Sequence, residues 1–324
     1  MTSVPPIEPR LPARDPRGHK GTFGTVGVVG GCVSGRVRMT GAPALAALGA
    51  LRAGAGLVKL LCPEPALGHV MALAPSATGR AIPVDAAGEM APHEAAAAID
   101  ELLRESTALA VGPGLGTGGG PQALALRAVQ QDSIPVVVDA DAINCLALVP
   151  ELSRDFHAAA VLTPHPGEYR RLAEALRLRH DPADDAQRPA AAESLAQRLG
   201  CIVVLKGAGS VVSDGHRTWV CPRGHACMAT AGTGDVLAGV IAALAAQFVR
   251  PADPLLAKLS ERARAALGRA GPAGLDLFDA ARAGVLAHAI AGEQWAARAG
   301  ASAGMLAAEL AELIPASLET LRGE

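Results

Sequence analysis

The stretch Val204–Gly215, VLKGAGSVVSDG, contains a predicted strand, a tight turn and a second predicted strand. The turn, Lys206–Ser210, places a lysine and two glycines between apolar residues, and glycine permits backbone conformations that other residues avoid. A second glycine turn lies in Ala229–Gln247, ATAGTGDVLAGVIAALAAQ, where Asp235 stands at the start of a long apolar helix. Strands, glycine turns and buried helices in succession are typical of an α/β protein.

Short Val-rich runs alternate with Ala- and Leu-rich stretches on either side of these turns. Most of the Val-rich runs are apolar throughout, as in strands buried on both faces of a parallel sheet. The predicted strands are Thr25–Gly30, Leu57–Cys62, Ala108–Val111, Pro135–Asp139, Ala159–Leu162, Cys201–Leu205, Ser210–Ser213 and Thr218–Cys221. The predicted helices are Ala42–Arg52, His93–Arg104, Gln122–Gln131, Gly167–Leu176, Ala190–Leu199, Asp235–Gln247, Asp276–Arg298 and Ser302–Ile314. The pattern predicts an α/β fold with helices on both faces of the sheet.

We expect a single domain over residues 19–324, because no linker interrupts the alternation before about residue 249. Residues 1–18, rich in Pro and Arg, are expected to form a flexible arm, and Pro315 is expected to end or kink the last long helix. Residues 250–274 depart from the pattern. We interpret them as an insertion, which forms an amphipathic hairpin, an oligomer contact or a surface segment without function.

The composition argues against several classes of protein. Of the 324 residues, 50% are apolar and 2% are aromatic, and the net charge is −2, so a nucleic-acid or membrane surface is not favoured. The six cysteines form no CxxC pair and no zinc-ligand spacing, which favours buried thiols in a reducing compartment. The N-terminus has no secretory signal, and the longest apolar run is too short to span a membrane. We therefore expect a cytoplasmic protein.

Glycines and polar residues follow most of the predicted strands. In open α/β sheets, ligands bind beyond the carboxyl ends of the strands, so clustered polar residues at those ends predict a shared site. The stretches concerned are VVGGC (28–32), AVGPGLGTGGG (110–120), VVVDADAIN (136–144), VLTPHPGE (161–168) and VVLKGAGS (203–210).

The Gly232–Asp235 turn has the features of an anion site. Its glycines can expose consecutive N–H groups, and the positive end of the helix dipole points to the same place. Asp235 either complements that dipole or acts as a base that accepts a hydroxyl proton during phosphoryl transfer. We expect the dipole and the N–H groups to keep its carboxylate ionised, so that deprotonation would have to be concerted with transfer.

The Lys206–Ser210 turn supplies a complementary feature. Its lysine can contact phosphate oxygens, and its glycines permit close approach of the backbone. The turn is not a P-loop, because the GxxxxGK[ST] spacing is absent. The alternative is an ordinary hairpin turn with a solvated lysine.

Two further stretches carry polar candidates. In TPHPGE, two prolines flank His165 and are expected to aim its ring, and Glu168 either begins a helix or holds Mg²⁺ through water. In DADAIN, Asp139 and Asp141 flank a turn after a central strand. One of the two aspartates is expected to orient substrate or metal-bound water and the other to cap the next helix, and the sequence does not distinguish them.

The ordered set of motifs resembles the ADP/ATP-dependent NAD(P)H-hydrate dehydratases. The motifs are HKGTFGTVGVVGG, TGAPALAALGALRAGAGLV, VGPGLGTG, VVVDADAIN, LTPHPGEYRRLA, VVLKGAGS, MATAGTGDVLAGVIAALAAQ and GVLAHAIAGEQWA. The resemblance implies a ribokinase-like three-layer α/β/α fold with a mostly parallel central sheet. It also implies repair of NADHX and NADPHX, the hydrated forms of the reduced cofactors, by phosphorylation of the C6 hydroxyl and elimination of phosphate.

The resemblance also implies roles for individual residues, with Asp235 as the catalytic base. The expected hydrate site consists of Ala42, Gly114, Gly116, His165 and Asp235, and the expected nucleotide site of Lys206, Gly207, Ala208, Gly209, Ser210, Gly232, Thr233 and Gly234. Mg²⁺ would bridge the phosphates, and ADP would be preferred to ATP as the donor. The family suggests a homo-oligomer, a tetramer, and the missing epimerase domain suggests that a separate NAD(P)HX epimerase acts beside this chain.

Two departures from the family pattern bear on the nucleotide. Ala231 stands where the family usually has glycine, and GHACMAT, residues 224–230, replaces a common Gly-Asn-Pro-Gly-Met-Ala run. Two alternatives therefore accompany the dehydratase interpretation. One is another ribokinase-like kinase acting on a thiazole or pyrimidine alcohol, and the other is a catalytically silent nucleotide-binding protein.

Overall fold

Apolar side chains alternate between the two faces of the central strands. In β10 (Ile202–Leu205), Ile202 and Val204 belong to one buried cluster, and Val203 and Leu205 belong to a second. Successive side chains of a strand point to opposite faces of the sheet, so a strand that is apolar on both faces has to be covered on both. The computed structural model describes residues 2–3, 9–249 and 274–322, and in it helices cover both faces.

The sheet is almost entirely parallel. Its strands are β1 (Thr2–Ser3), β2 (Thr25–Val29), β5 (Leu57–Pro63), β6 (Thr78–Ile82), β7 (Ala108–Val111), β8 (Val136–Val138), β9 (Ala160–Leu162), β10, β11 (Val211–Ser213) and β12 (Arg217–Val220). They lie in the order β1-β12-β11-β10-β9-β8-β7-β2-β5-β6, and only β11 runs against its neighbours. A separate hairpin consists of β3 (Cys32–Ser34) and β4 (Val37–Met39).

The helices form two layers. One face of the sheet carries α1 (Gly41–Arg52), α2 (Glu64–Leu73), α9 (Thr233–Phe248), α10 (Leu277–Ala299) and α11 (Ala307–Glu319). The other carries α3 (Pro92–Arg104), α4 (Gly119–Gln130), α5 (Ala140–Leu146), α6 (Leu152–Asp155), α7 (Pro166–Leu176) and α8 (Arg188–Leu199). The predicted mostly parallel α/β architecture is confirmed. None of the described helices combines the length and the hydropathy that a membrane span requires.

Close backbone contacts fix the position of α9 against α1. A Cβ atom on Gly239 would lie 1.9 Å from the Ala46 carbonyl oxygen, and one on Gly49 would lie 2.4 Å from the Val236 carbonyl oxygen. Only glycine permits two helix backbones to approach so closely. The contact brings the N-terminus of α9, which carries Asp235, to a defined place beside the sheet.

The ends of the chain differ from the expectations. Residues 1–18 were expected to be a flexible arm, but Leu11 is buried and its N–H donates to the Leu321 carbonyl at 2.8 Å. Arg14 stacks on the Phe23 ring, 3.5 Å from its centroid. Apolar burial and stacking therefore hold the part of the arm at residues 9–18 on the domain.

The last helix also differs from its prediction. It begins at Ala307 rather than Ser302 and continues through Pro315, because burial of Leu318 and Leu321 stabilises the turn that follows the proline. Sequence patterns did not predict β1, the β3–β4 hairpin, β6, α2 or α6. The insertion predicted near residues 250–274 lies outside the described residues except for Gly274.

We predict that Gly239→Ala lowers the free energy of unfolding by about 3 kcal/mol or more, because the new methyl group collides with the α1 backbone. The matched control is Gly68→Ala in α2, where a Cβ atom meets nothing within 4 Å. That change should raise the stability by up to about 1 kcal/mol through helix propensity. Urea denaturation followed by circular dichroism measures both, and equal midpoints for the two variants would contradict the close packing of α1 and α9.

Candidate functional site

Lys206 lies at the end of β10 with its ammonium among carboxylates from neighbouring strand ends. Its Nζ is 2.6 Å from Asp139 Oδ1 and 3.7 Å from Glu168 Oε2. A Cβ atom on Gly234 would lie 3.4 Å from the same nitrogen. The structure therefore brings the lysine turn and the Gly232–Asp235 turn to one place, and this lysine is not the solvated side chain of an ordinary hairpin.

Asp235 lies in the first turn of α9 and is largely shielded from solvent. Burial, followed by the negative charge of Asp139, raises the pKa of its carboxyl to about 7, although the charge of Lys206 lowers it. Glu168 and Asp141 act in the same direction as Asp139. The expectation that the helix dipole keeps Asp235 firmly ionised was wrong, because desolvation and neighbouring carboxylates outweigh the dipole. A carboxyl with a pKa near 7 is a stronger base than an ordinary aspartate.

The two aspartates of the DADAIN stretch have different environments. Asp139 is buried, and it accepts hydrogen bonds from Lys206 and from the Thr163 hydroxyl at 2.7 Å. Asp141 accepts the Gly116 N–H at 2.9 Å. Ala140 between them has a φ of 49°, a left-handed conformation that is uncommon for alanine and directs the two side chains to different partners. Neither side chain caps the α5 helix, which was one of the expected roles.

His165 and Glu168 form a reciprocal cap at the start of α7. The His165 Nδ1 atom accepts the N–H groups of Gly167 and Glu168, and the Glu168 carboxylate accepts the His165 N–H at 2.8 Å. Burial and the charge of Lys206 lower the pKa of His165, which favours the neutral ring that this cap requires. The imidazole is thus oriented as expected, mainly by the cap. Burial raises the pKa of Glu168.

A cavity of about 740 Å³ opens beside the lysine turn, and we call it the hairpin cavity. All of Lys206–Ser210 line it, together with Thr233 and Gly234 of the second turn. Within the described residues, the N–H groups of Gly207, Ala208 and Gly209 have no protein acceptor and remain available to a ligand. Gly232 lies behind the cavity, where a Cβ atom would meet Leu45 and Ala307.

A second cavity of about 400 Å³, the Asp141 cavity, lies toward the β3–β4 hairpin. Gly116 and Asp141 line it, and Met39, which also lines it, contacts Gly114. A Cβ atom on Gly114 would lie 3.2 Å from the Ala42 Cβ atom. His165 lines neither cavity. The residues expected for the hydrate site therefore do not surround one pocket. They lie along the ends of the strands.

Comparison with known proteins identifies the family. A sequence model described as NAD(P)H-hydrate dehydratase matches residues 26–316. The chain belongs to the NAD(P)H-hydrate dehydratase family.

Individual relatives agree with the family match. The bifunctional NAD(P)H-hydrate repair enzyme of Moorella thermoacetica is 34% identical over 319 residues, which cover 97% of this chain and 53% of that protein. The ATP-dependent (S)-NAD(P)H-hydrate dehydratase of Bos taurus is 35% identical over 242 residues, covering 72% of this chain and 68% of that protein. The chain spans about half the length of the curated bifunctional relatives that it matches.

Solved structures agree with the fold. The ADP/ATP-dependent NAD(P)H-hydrate dehydratase from Bacillus subtilis, co-crystallized with ATP/Mg²⁺, superposes with a TM-score of 0.70 at 26% identity, covering 97% of this chain and 95% of that one. A ribokinase-like superfamily protein from Enterococcus faecalis superposes with a TM-score of 0.69 at 21% identity, covering 97% and 93%. The fold is therefore the ribokinase-like three-layer α/β/α sandwich.

The structure accounts for this chain's departures from the family pattern. Ala231 is exposed and has no left-handed backbone, so its methyl group does not disturb the turn. His225 caps a one-turn 3₁₀ helix, Ala226–Met228, by accepting the Cys227 N–H at 3.3 Å, and it lines the hairpin cavity. The Cys227 thiol is buried and donates to the Gly292 carbonyl, away from the ligand space.

One site residue of this family member escaped the sequence analysis. His288 of α10 lines the hairpin cavity, and its Nε2 lies 2.8 Å from the Thr233 carbonyl. Burial lowers the pKa of His288 to about 4, so the ring is neutral and donates from Nε2. This hydrogen bond fixes the position of the Thr233 carbonyl in the second turn. A histidine within an apolar helical run was the available signal, but only the tertiary fold places it beside Thr233.

We predict opposite pKa shifts of Asp235 in two variants. Lys206→Met should raise this pKa further above about 7, because a stabilising cation is lost, and Asp139→Asn should lower it, because a like charge is lost. A carbon-13 titration of labelled aspartate carboxyls measures both shifts. Asp181→Asn, which removes an exposed carboxylate, is the control and should leave the titration unchanged. Identical titrations in all three variants would show that the lysine and the aspartates do not share a site.

Proposed function

We propose that this protein converts the S epimer of NADHX and NADPHX back to NADH and NADPH, with ADP or ATP as the phosphoryl donor. The observation that carries the proposal is Asp235, whose carboxyl has a pKa of about 7 and shares a partly buried site with Lys206. A base and a cation at one place are what transfer of a phosphoryl group to an alcohol requires. Membership of the NAD(P)H-hydrate dehydratase family supports the substrate.

Asp235 would accept the proton of the C6 hydroxyl while the hydroxyl oxygen forms a bond to the terminal phosphorus of the nucleotide. The bond from that phosphorus to the bridging oxygen breaks, leaving AMP from ADP or ADP from ATP. The C6–O bond of the phosphate ester then breaks with assistance from the ring nitrogen, inorganic phosphate departs, and loss of a C5 proton forms the C5=C6 double bond. Atoms and charges balance without an oxidant or reductant.

Lys206 would stabilise charge on the transferring phosphoryl group. Its ammonium is held by Asp139 and Glu168, and the attraction of these two carboxylates outweighs the effect of burial, so its pKa is raised. It therefore stays protonated throughout the neutral range. The free N–H groups of Gly207, Ala208 and Gly209 would contact phosphate oxygens, and Gly232, Thr233 and Gly234 would provide the helix N-terminus.

The carboxylates fit a magnesium ion that is shared with a nucleotide. Among the described residues, no three His, Cys, Asp or Glu side chains form a cluster that could hold a metal alone. Mg²⁺ usually keeps several waters and binds one or two carboxylates together with phosphate oxygens. Glu168 would hold it through a water molecule. When bound, Mg²⁺ neutralises charge on the phosphate chain.

The hydrate would lie across the strand ends near Ala42, Gly114, Gly116 and His165. We propose ADP as the preferred donor, a homo-oligomeric assembly, a cytoplasmic location and a separate epimerase that supplies the S epimer. Relatives named as ADP/ATP-dependent and as ATP-dependent support the use of an adenine nucleotide in general. Bifunctional relatives described as repair enzymes support the pairing with a second activity.

The alternative functions are less well supported. A thiazole or pyrimidine kinase would share the Asp235 chemistry but release a stable phosphorylated alcohol, and the family match disfavours it. A silent homologue is disfavoured because Asp235 and Lys206 are both present and close together. Incubation with NADHX, ADP and Mg²⁺ separates the three, since only the dehydratase restores NADH absorbance and releases inorganic phosphate.

We predict that Asp235→Asn lowers kcat for NADH formation by roughly a hundredfold to ten-thousandfold, since proton abstraction is lost. The change should leave ADP affinity nearly unchanged, because the asparagine has the same size. Glu94→Gln is the matched control, as it neutralises an exposed carboxylate in the first turn of α3, and it should retain full activity. Normal turnover by Asp235→Asn would exclude this residue as the base.

The pH dependence follows from the raised pKa of Asp235. The base form is deprotonated, so kcat/KM should rise with pH and level off above about 7. The raised pKa of Lys206 keeps any alkaline decline well above neutral pH. Steady-state assays from pH 5 to 9 test this expectation. A profile that is flat below pH 7 would mean that another group is the base.

A further inference from the structure

Arg188, the first residue of α8, lies buried beneath the lysine turn. Only 5% of its surface is exposed. One guanidinium nitrogen donates to the carbonyls of Leu205 and Lys206 at 3.1 and 3.3 Å, and another donates to the Pro182 carbonyl at 3.0 Å. The guanidinium thus connects the end of β10 and the start of the turn to the segment before α8.

The charge of Arg188 has no ion-pair partner among the described residues. Asp185 attracts it only from a distance, and its polar contacts are backbone carbonyls. Burial lowers its pKa, but a guanidinium stays protonated in proteins. A cation buried without a carboxylate contact is costly, and its positive potential extends to its surroundings.

The direction of the Lys206–Gly207 peptide group connects Arg188 with the hairpin cavity. In a trans peptide the C=O and N–H groups point in opposite directions, so a Lys206 carbonyl that faces Arg188 directs the Gly207 N–H away from it. Gly207 lines the hairpin cavity, and its N–H has no protein acceptor in the part of the chain that the structure describes. Gly207 has a φ of 152°, and a Cβ atom there would lie 2.8 Å from the guanidinium. The guanidinium can therefore approach the turn this closely only because residue 207 has no side chain.

We propose that Arg188 is a positioning residue for the phosphate chain of the nucleotide. It holds the carbonyl of Lys206 on the side away from the cavity, which presents the Gly207 N–H to the ligand, and it holds the Leu205 carbonyl beside it. Its charge adds to the positive potential that Lys206 provides. The proposal rests on the proposed nucleotide site but not on the dehydration chemistry.

The shape of the guanidinium is essential to this role. Its planar fork donates in several fixed directions and can serve three carbonyls at once. A lysine keeps the charge but carries its donors on a single nitrogen. Arg188→Lys therefore keeps the positive charge but removes the planar arrangement of donors. Arg188→Met removes both and keeps an apolar side chain of similar length.

The experiment measures ligand binding. ADP is titrated by calorimetry into the wild-type protein, Arg188→Met and Arg188→Lys, and adenosine, which lacks phosphate, is titrated by NMR at millimolar concentrations. The matched control is Arg198→Met, which removes an arginine of the same helix that donates to the Leu176 carbonyl at 2.9 Å. Circular dichroism establishes a temperature at which each variant is folded.

We expect Arg188→Met to raise the Kd for ADP roughly tenfold to a hundredfold, the range for loss of hydrogen bonds from a charged group. Arg188→Lys should weaken ADP binding less, but measurably. Adenosine affinity should not change in either variant, and Arg198→Met should bind both ligands normally. If Arg188→Met does not fold, Arg188→Lys alone decides, with the same selective loss for ADP.

Other results would overturn the proposal. An equal loss of ADP and adenosine affinity would indicate a general structural role, and wild-type ADP affinity in Arg188→Lys would indicate that the fork is unnecessary. Wild-type protein that binds ADP but does not form NADH from NADHX would refute the proposed reaction and leave the test of Arg188 valid. Wild-type protein that does not bind ADP would overturn both.

Discussion

One partly buried ammonium, that of Lys206, holds together a cluster of carboxylates. The Lys206 ammonium attracts Asp139 and Glu168 directly and acts on Asp235 through its charge. A single ammonium does not offset several carboxylates in a poorly solvated space, so burial and like charges raise the pKa values of both Asp235 and Glu168. Burial, followed by the charge of Asp139, raises the pKa of Asp235 to about 7. The raised basicity of Asp235 is thus a consequence of burial together with an excess of negative charge.

The position of these groups depends on backbone contacts elsewhere. Gly49 and Gly239 let α1 and α9 approach until their backbones touch, which fixes the turn that carries Asp235. Parallel strands bring Asp139, Glu168 and Lys206 to one edge, because β8, β9 and β10 are neighbours in the sheet. Rigid elements therefore support both halves of the site, as pre-organised electrostatic stabilisation requires.

Residues around the hairpin cavity form a supporting layer behind and beside the two turns. His288 donates to the carbonyl of Thr233 behind one turn, and Arg188 donates to carbonyls behind the other. His288 also lines the hairpin cavity, and the Gly207 N–H beside the Arg188 contacts has no protein acceptor among the described residues. The unusual residues of this chain, Ala231 and His225, are accommodated without loss of that arrangement, so they give no structural reason to expect a silent protein.

The sequence by itself determined the α/β class, most of the central strands and helices, and the residues at the strand ends, because apolar periodicity and glycine turns are local signals. It also carried enough ordered motifs to indicate the family. Tertiary structure alone decided the pKa of Asp235, the different partners of Asp139 and Asp141, and the contacts of His288 and Arg188 with the two turns. Those properties depend on burial and on charges from distant parts of the chain, which only the folded sheet brings within a few ångströms of each other.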